Sequence, residues 1–266
     1  MATLATSLGN IGYREVGSGG IPLVFLHGVG SHKSAWDPQL WHFSTTRRTI
    51  AFDFPGYGES DLLIERSGDA HDQFAETIIA ALDALALDRV HLCGLSLGGV
   101  VAIAFAHRAP QRLASLILAD SFAKHPDGQA MIARSLAASD NMHALASARV
   151  PVLVGPNSAP ELVAQLIVVM AAIDAGAFRL GSAAVWPTDQ HDRARAITAP
   201  TLILCGSNDQ VTPPALSDEL ARLIAGSRLQ LIPCSGHLPN LEQPATFNAA
   251  LGAFVDEVEA KGEHQR

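Results

Sequence analysis

The chain is organised around the stretch Gly94-Leu95-Ser96-Leu97-Gly98. It follows an apolar, β-branched run at 89–93 that is typical of a buried strand, and it precedes a small, apolar run at 99–106 that is typical of a buried helix. A serine on a sharp strand-to-helix turn presents its hydroxyl above the end of a sheet, and such a turn admits only small residues two positions before and after it. Gly94 and Gly98 meet that requirement, although glycine and serine are also common in ordinary loops.

Short apolar runs of the same kind recur along the chain, with helical patterns between them. Continuous rather than alternating apolar runs are typical of a parallel sheet that is covered on both faces. The repeated strand and helix predict an α/β fold with a doubly wound, mostly parallel sheet, in which ligands bind beyond the carboxyl ends of the strands. The predicted strands are 21–26, 48–53, 89–93, 113–119, 200–205 and 227–232, the predicted helices are 73–87, 98–107, 214–224 and 245–259, and residues 4–16 form a predicted hairpin at the sheet edge.

The alternation stops after the strand at 113–119 and resumes near residue 191. The segment between contains helical patterns without a strand. We therefore expect a helical cap at 122–190, inserted into a core made of 1–121 and 191–266. Insertions of this kind commonly cover a substrate pocket and exclude water, although a passive helical decoration has the same pattern.

The composition of the chain limits the classes of molecule that it is expected to bind. The chain has 266 residues and a formal net charge of −8, with 18 Lys and Arg against 26 Asp and Glu. Nucleic-acid binding needs clustered cations, which this chain lacks, and no apolar run reaches the ~18 residues of a membrane-spanning helix. We expect neither nucleic acid nor a membrane as a partner, and the oligomeric state stays open.

The cysteines and the first residues predict a cytoplasmic location. Cys93, Cys205 and Cys234 cannot all pair, and each lies in or beside an apolar run, which is typical of reduced thiols in a cytosolic protein. The opening nine residues lack the basic and continuous apolar regions of a secretory signal. No phosphate-binding loop, dinucleotide fingerprint or metal-ligand spacing occurs, so we expect no cofactor and no metal.

A serine nucleophile needs a base and an acid, and loops after later strands supply candidates. His237 follows the last predicted strand, on a loop that Gly236 loosens. Two aspartates also follow predicted strands, Asp120 and Asp209. The chain order Ser, Asp, His favours Asp209 as the group that orients the histidine, and Asp120 stays as the alternative. The sequence thus predicts Ser96, Asp209 and His237 as catalytic residues.

Acyl transfer also needs backbone N–H groups that bind the developing oxyanion. The residue after the nucleophile, Leu97, supplies one of them. The loop 26–30 follows an earlier strand, and its glycines let the backbone approach a reacting carbonyl. We expect Val29 to supply the second N–H. The Gly- and Pro-rich loop 53–60 is interpreted as a structural turn beside the site.

Together these motifs resemble the α/β-hydrolase family over essentially the whole chain. The motifs are His27-Gly28, the Asp-x-Pro-Gly-x-Gly-x-Ser loop at 53–60, Gly94-x-Ser96-x-Gly98 and the Asp209 and His237 loops. The resemblance implies a Ser-His-Asp hydrolase with a sheet of about eight strands and a helical cap after the sixth. Within the family the chain most resembles the 3-oxoadipate enol-lactonase-like esterases and lactonases, on the stretches 94–99, 27–31, 35–37 and 160–164.

That resemblance implies a carboxylic ester hydrolase whose partner is a small ester or lactone. Dehalogenases and epoxide hydrolases of the family carry Asp where this chain has Ser96. Carbon–carbon bond hydrolases of meta-cleavage products usually carry Asn and Trp where this chain has Leu95 and Leu238, so they are the second expectation. A ligand receptor with negligible turnover would have the same sequence features and is the other alternative.

Candidate substrate-binding residues are large apolar side chains and arginines in and near the predicted cap. Apolar side chains there could also be plain core, and arginines could simply be solvated. An arginine would bind the carboxylate of an enol-lactone. The candidates in the sequence are Trp36, Phe122, Arg134, Met170 and Trp186, with Arg149 and Phe178 as further choices.

Overall fold

The computed structural model describes residues 2–62 and 68–264, and its centre is an eight-stranded sheet of order β1-β2-β4-β3-β5-β6-β7-β8. The first two strands form an antiparallel hairpin, the second pairs antiparallel with β4, and all later pairings are parallel. The α/β fold and the edge hairpin predicted from the sequence are therefore confirmed. The strands are β1 Ala2–Thr6, β2 Gly9–Val16, β3 Leu23–Leu26, β4 Thr49–Phe52, β5 Val90–Leu95, β6 Leu113–Ala119, β7 Thr201–Gly206 and β8 Arg228–Ile232.

Helices cover both faces of this sheet, and every residue of β3 to β7 is buried. Complete burial explains why these strands have continuous rather than alternating apolar sequences. The strand and helix bounds agree with the predicted ones to within a few residues, except that α11 continues to His264 instead of ending at 259. The helices are α1 Asp37–Phe43, α2 Ala70–Ala84, α3 Leu97–Arg108, α4 Gly128–Ala138, α5 Met142–Leu153, α6 Pro160–Ala171, α7 Ala175–Val185, α8 His191–Arg195, α9 Pro214–Leu223, α10 Pro239–Glu242 and α11 Pro244–His264.

Five helices, α4 to α8, separate β6 from β7, and no named strand lies among them in this fully described part of the chain. An isolated antiparallel bridge joins Lys124 to Asp189 near the two ends of the insertion. The division into a core and a cap with bounds at 122 and 190 stays a prediction. Across the described ranges, no single helix is long and apolar enough to cross a membrane, and the bent pair α6 and α7 meets that test only by length and composition.

Candidate active site

Ser96 occupies a strained turn between β5 and α3. Its backbone has φ 56° and ψ −115°, a conformation that is uncommon for a residue with a side chain. A Cβ on Gly94 would lie 2.1 Å from the Gly98 carbonyl oxygen, and one on Gly98 would lie 2.2 Å from the Leu26 carbonyl oxygen. The Ser121 hydroxyl donates to the Ser96 carbonyl at 3.0 Å. Both glycines are therefore required for the turn that presents the serine.

His237 and Asp209 form a hydrogen-bonded pair on the loops after β8 and β7. The His237 Nδ1–H donates to Asp209 Oδ2 at 2.8 Å, and the His237 backbone N–H donates to the Leu153 carbonyl at 2.6 Å. Asp209 Oδ1 accepts from the backbone N–H groups of Val211 at 2.8 Å and Thr212 at 3.1 Å. The Thr212 hydroxyl donates to Asp209 Oδ2 at 2.6 Å. The carboxylate is thus held in one orientation, with Oδ2 toward the imidazole.

The two strand-end aspartates differ in charge because their surroundings differ. Burial by itself raises the pKa of Asp209, but the charge of His237 and the hydrogen bonds from His237 and Thr212 outweigh it and hold the pKa below its usual range. Burial and the nearby Asp209 charge raise the pKa of Asp120 well above its usual value. Asp120 Oδ1 accepts from the Gly206 N–H at 2.8 Å. The surroundings therefore favour the ionised form of Asp209, which contacts the histidine, and disfavour the ionised form of Asp120.

Ser96 and His237 line one and the same cavity. Its walls are mostly apolar and come from the loop after β3, the serine turn, α5, α6 and the region of α10. Of the residues predicted to bind substrate, Trp36 and Met170 line the cavity, whereas Phe122, Arg134 and Trp186 do not belong to its described lining. The lining residues are His27, Gly28, Val29, Gly30, Ser31, Ala35, Trp36, Leu95, Ser96, Arg149, Leu153, Leu166, Met170, His237, Leu238, Asn240 and Leu241.

Packing explains why the other predicted substrate-binding residues do not line the cavity. Phe122 and Trp186 are buried and stack on each other, with ring centroids 6.1 Å apart and an interplanar angle of 11°. Arg134 is exposed on α4, where its guanidinium contacts the Met131 sulfur at 3.0 Å. Phe178 is fully buried. These aromatic side chains are therefore core, and Arg134 faces solvent.

Two backbone N–H groups are available near the serine. Within residues 2–62 and 68–264, neither the Val29 nor the Leu97 N–H has a hydrogen-bond partner. Val29 is nearly buried, and its carbonyl accepts from the Tyr57 hydroxyl at 3.1 Å, which orients the peptide. Leu97 is the first residue of α3, where N–H groups have no partner within the helix. Val29 lines the cavity, whereas Leu97, next to Ser96, does not belong to its described lining, and the role of both N–H groups as oxyanion donors stays a prediction.

His27 joins the loop after β3 to the loop after β4. Its Nδ1–H donates to the Gly28 carbonyl at 2.8 Å, and its Nε2 accepts from the Phe54 N–H at 3.0 Å. Complete burial lowers the pKa of His27 to about 4, so the ring is neutral and keeps this tautomer. The neighbouring Asp53 accepts from the Lys33 backbone N–H at 2.7 Å. These contacts support a structural role for the loop 53–60.

Sequence reasoning missed Thr212 and Asn240. Thr212 lies three residues after Asp209, a spacing at which a hydroxyl and an N–H can both reach a carboxylate, so the local sequence contained that signal. Asn240 lines the cavity, donates to the Ala35 carbonyl at 2.8 Å and receives a bond from Gln39 on its own carbonyl at 3.0 Å. Gln39 is about 200 residues away in sequence, so no local pattern indicates this contact.

Comparison with known proteins assigns the family. A family model described as "Alpha/beta hydrolase family" matches residues 23–250. The chain therefore belongs to the α/β-hydrolase family, as the motifs predict.

Individual relatives differ in the reactions that their names state. The chain is 29% identical over 237 residues to "3-oxoadipate enol-lactonase 2" of Acinetobacter baylyi, covering 88% of each protein. It is also 29% identical over 263 residues to "2-hydroxymuconate semialdehyde hydrolase" of Pseudomonas sp., covering 91% of this chain and 89% of that one. The match to a "Dihydrolipoyllysine-residue acetyltransferase component of acetoin cleaving system" of Pseudomonas putida is 30% identical over 244 residues but spans only 64% of that relative.

Solved structures agree over nearly the whole chain. A thermophilic esterase from Thermogutta terrifontis superposes with a TM-score of 0.88 at 26% identity, covering 97% of this chain and 98% of that one. An enol-lactonase from Burkholderia xenovorans LB400 superposes with a TM-score of 0.88 at 25% identity, covering 96% of this chain and 100% of that one. The chain is thus similar to esterases and to enol-lactonases, and its family membership makes it a hydrolase.

Proposed function

We propose that this hydrolase cleaves a small carboxylic ester or lactone through an acyl-enzyme, with Ser96, His237 and Asp209 as its catalytic triad. The observation that supports it most is that Ser96 and His237 line the same cavity while Asp209 accepts the Nδ1–H of the histidine. That hydrogen bond leaves Nε2 as the free base on the ring. A serine, a correctly protonated histidine and an ionised acid are the parts that acyl transfer needs.

In this mechanism Ser96 Oγ attacks the carbonyl carbon while His237 Nε2 takes the hydroxyl proton. The N–H groups of Val29 and Leu97 donate to the resulting oxyanion. The intermediate collapses, the bond to the leaving oxygen breaks, and Nε2 returns the proton to that oxygen. A water then loses a proton to Nε2 and attacks the acyl carbon, the bond from that carbon to Ser96 Oγ breaks, and Nε2 returns the proton to Oγ as the acid is released.

Hydrolysis of a short-chain 4-nitrophenyl ester tests the proposal. Wild-type protein should release 4-nitrophenolate over many turnovers, and Ser96→Ala should lower kcat by several orders of magnitude, because the remaining site can still bind but cannot form an acyl-enzyme. Ser18→Ala is a matched control on an exposed loop away from the cavity and should keep full activity. Equal rates for wild type and Ser96→Ala would refute the assignment, and a single burst without turnover would indicate a receptor.

A carbon–carbon bond hydrolase is the second candidate, favoured by the similarity to the semialdehyde hydrolase. Against it, Leu95 and Leu238 stand where those enzymes usually carry Asn and Trp, and both line the cavity. Loss of absorbance from a ring-cleavage product, compared with lactone hydrolysis by the same preparation, separates the two reactions. We expect the lactone to be turned over faster.

The cytoplasmic location also stays part of this proposal. Its support is that Cys93 and Cys205 are buried, unpaired thiols and Cys234 is an exposed one, as expected in a reducing compartment. Cell fractionation with detection of the full-length protein tests it, and recovery in a secreted fraction would contradict it.

A further inference from the structure

One oxygen of the Glu242 carboxylate binds the backbone on both sides of His237. Glu242 is the last residue of α10, the short helix that follows the loop carrying His237. Its Oε1 accepts from the backbone N–H groups of Gly236 at 2.9 Å and Leu238 at 3.2 Å. Since these two residues precede and follow His237, a single acceptor fixes the loop that carries the candidate base.

The other oxygen binds the α5–α6 connection, which consists of residues 154–159. Oε2 accepts from the Gly155 N–H at 2.5 Å and from the Ser158 hydroxyl at 2.6 Å. Leu238 directly precedes α10, and a glutamate in the first turn of a helix can accept the N–H at that position. Helix capping therefore explains the bond from Leu238. It does not explain the two bonds from residues that lie 87 and 84 positions earlier in the sequence.

The two segments that Glu242 joins are also packed backbone against backbone. The His237 N–H donates to the Leu153 carbonyl at 2.6 Å. A Cβ on Gly236 would lie 2.5 Å from that carbonyl oxygen and 2.7 Å from the Gly155 nitrogen, so only glycine fits there without a shift of the backbone. Because close-packed groups transmit displacements, a shift of the α5–α6 connection must move the loop that carries His237.

The α5–α6 connection is continuous with the wall of the candidate active site. Leu153 at the end of α5 and Leu166 on α6 line the cavity that Ser96 and His237 also line. The wall and the candidate base are therefore held together by one carboxylate. A substrate that fills the cavity touches this wall, so its fit and the position of the base depend on the same set of hydrogen bonds.

We propose that Glu242 is a positioning residue, which ties the position of His237 to that of the α5–α6 wall of the cavity. This inference rests on the proposed role of His237 as the base that activates Ser96. Glu242 does not belong to the described lining of the cavity, so it acts through the backbone on either side of His237. A misplacement of about 1 Å can lower an enzymatic rate by about 100-fold, so fixing this loop has a large effect on catalysis.

Glu242→Gln separates the two halves of this arrangement. Oε1 accepts two N–H groups, which an amide NH₂ cannot do, so the glutamine oxygen must take that position. The NH₂ group then meets the Gly155 N–H as donor against donor, while the Ser158 hydroxyl can turn to accept from it. Glu242→Gln therefore keeps the bonds that hold His237 and releases Gly155, whereas Glu242→Ala releases both segments.

The kcat and KM for 4-nitrophenyl butyrate distinguish the two effects. Glu242→Ala should lower kcat by about 10- to 100-fold, because His237 loses its fixed position. Glu242→Gln should keep kcat within about threefold of wild type and raise KM by about tenfold, because the loss then falls on the wall that binds the substrate. Ser158→Ala should raise KM by less, since the Gly155 N–H still donates to the carboxylate.

Glu161→Gln and Glu161→Ala are the matched controls, since Glu161 is an exposed glutamate at the start of α6, and they should change neither constant. Recovery of kcat in Glu242→Gln is a readout that a purely structural role would not move, because loss of folded protein lowers kcat and leaves KM unchanged. The inference is overturned if Glu242→Ala keeps kcat within about threefold of wild type, or if Glu242→Gln loses as much kcat as Glu242→Ala.

Amide hydrogen exchange tests the arrangement without any turnover. In wild type the N–H groups of Gly155, Gly236 and Leu238 should all be protected, and Glu242→Gln should speed exchange at Gly155 alone. If wild type hydrolyses no ester, the proposed function fails, and this exchange pattern still supports the link between the two segments. Equal exchange at all three positions in wild type and Glu242→Gln overturns the inference. That comparison also decides the matter if Glu242→Ala does not fold.

Discussion

Replacing Asp209 by Asn tests the orientation of the candidate triad. Asp209 Oδ1 accepts two backbone N–H groups, which an amide NH₂ cannot do, so the asparagine oxygen must take that position. The Nδ2 group then faces His237 Nδ1 and donates to it. His237 is forced into the tautomer with its proton on Nε2, and it can no longer take the proton of Ser96.

The backbone contacts also set the size of the effect. Flipping the amide to restore the working tautomer would leave two buried N–H groups unpaired, at about 1–3 kcal/mol each. That corresponds to a loss of roughly 30- to 20,000-fold. Asp209→Asn also removes the charge that stabilises the imidazolium, so we expect kcat/KM to fall by about 10⁴-fold, as is typical when this acid becomes an amide.

Asp120→Asn is the control for this prediction. Asp120 is a buried aspartate after the neighbouring strand, and its Oδ1 accepts a single N–H, from Gly206. Since burial favours its neutral form, an amide of the same shape should keep kcat/KM for a 4-nitrophenyl ester within about tenfold, the change in rate that corresponds to about 1.4 kcal/mol. The reasoning is refuted if Asp209→Asn keeps activity within the same range, or if Asp120→Asn is the more damaging change, with both variants folded by circular dichroism.

Three further predictions concern stability. The pKa of Asp120 is raised in the folded state, chiefly by burial, so the contribution of this carboxyl to the free energy of unfolding is complete below its unfolded pKa and is lost as pH rises through its folded pKa. Asp120→Asn should therefore raise Tm at pH 8, and thermal melts should show this difference shrinking toward pH 4. Burial lowers the pKa of His27 to about 4, so the contribution of this ring to the free energy of unfolding is present above its unfolded pKa. About 3 kcal/mol of that contribution is lost as pH falls from about 6.5 to 4. Urea titrations should show that the free energy of unfolding of His27→Gln falls less steeply over this pH range than that of wild type, and an equal fall would contradict this. Gly94→Ala places a Cβ 2.1 Å from a backbone oxygen and should cost at least about 2 kcal/mol. Gly262→Ala, near the end of α11 with nothing within 4 Å, should change stability by no more than about 0.5 kcal/mol, and similar Tm changes for both variants would refute the steric account.

Local sequence was sufficient to predict those features of the site whose geometry depends only on neighbouring residues. The serine turn is one such feature, because its requirement for glycines at two positions and its strand-to-helix change are both visible within about a dozen residues. The order of strands and helices is another, since continuous apolar runs are produced by burial on both faces. The free N–H of Leu97 follows from its position as the first residue of a helix.

Other features depended on packing between distant segments. Phe122 and Trp186 are large aromatic residues of a kind that often lines pockets, yet they stack on each other in the core. The Trp186 ring contacts the Arg149 guanidinium. Arg134 and Arg149 lie on α4 and α5, and only helix packing places Arg134 in solvent and Arg149 at the cavity. A single helical period indicates that a helix is amphipathic but not which partner covers its apolar face.

From the sequence, Ser96 is expected on a nucleophile-like turn of an α/β fold, and the chain order Ser, Asp, His favours Asp209 over Asp120 as the acid. The contact between the Asp209 carboxylate and the imidazole is visible only in the tertiary structure. Both aspartates follow buried strands, but β7 lies between β6 and β8, so the loop that carries Asp209 is adjacent to the loop that carries His237 and its carboxylate meets the imidazole. Strand order is set by long-range pairing, which the residues around either aspartate do not encode.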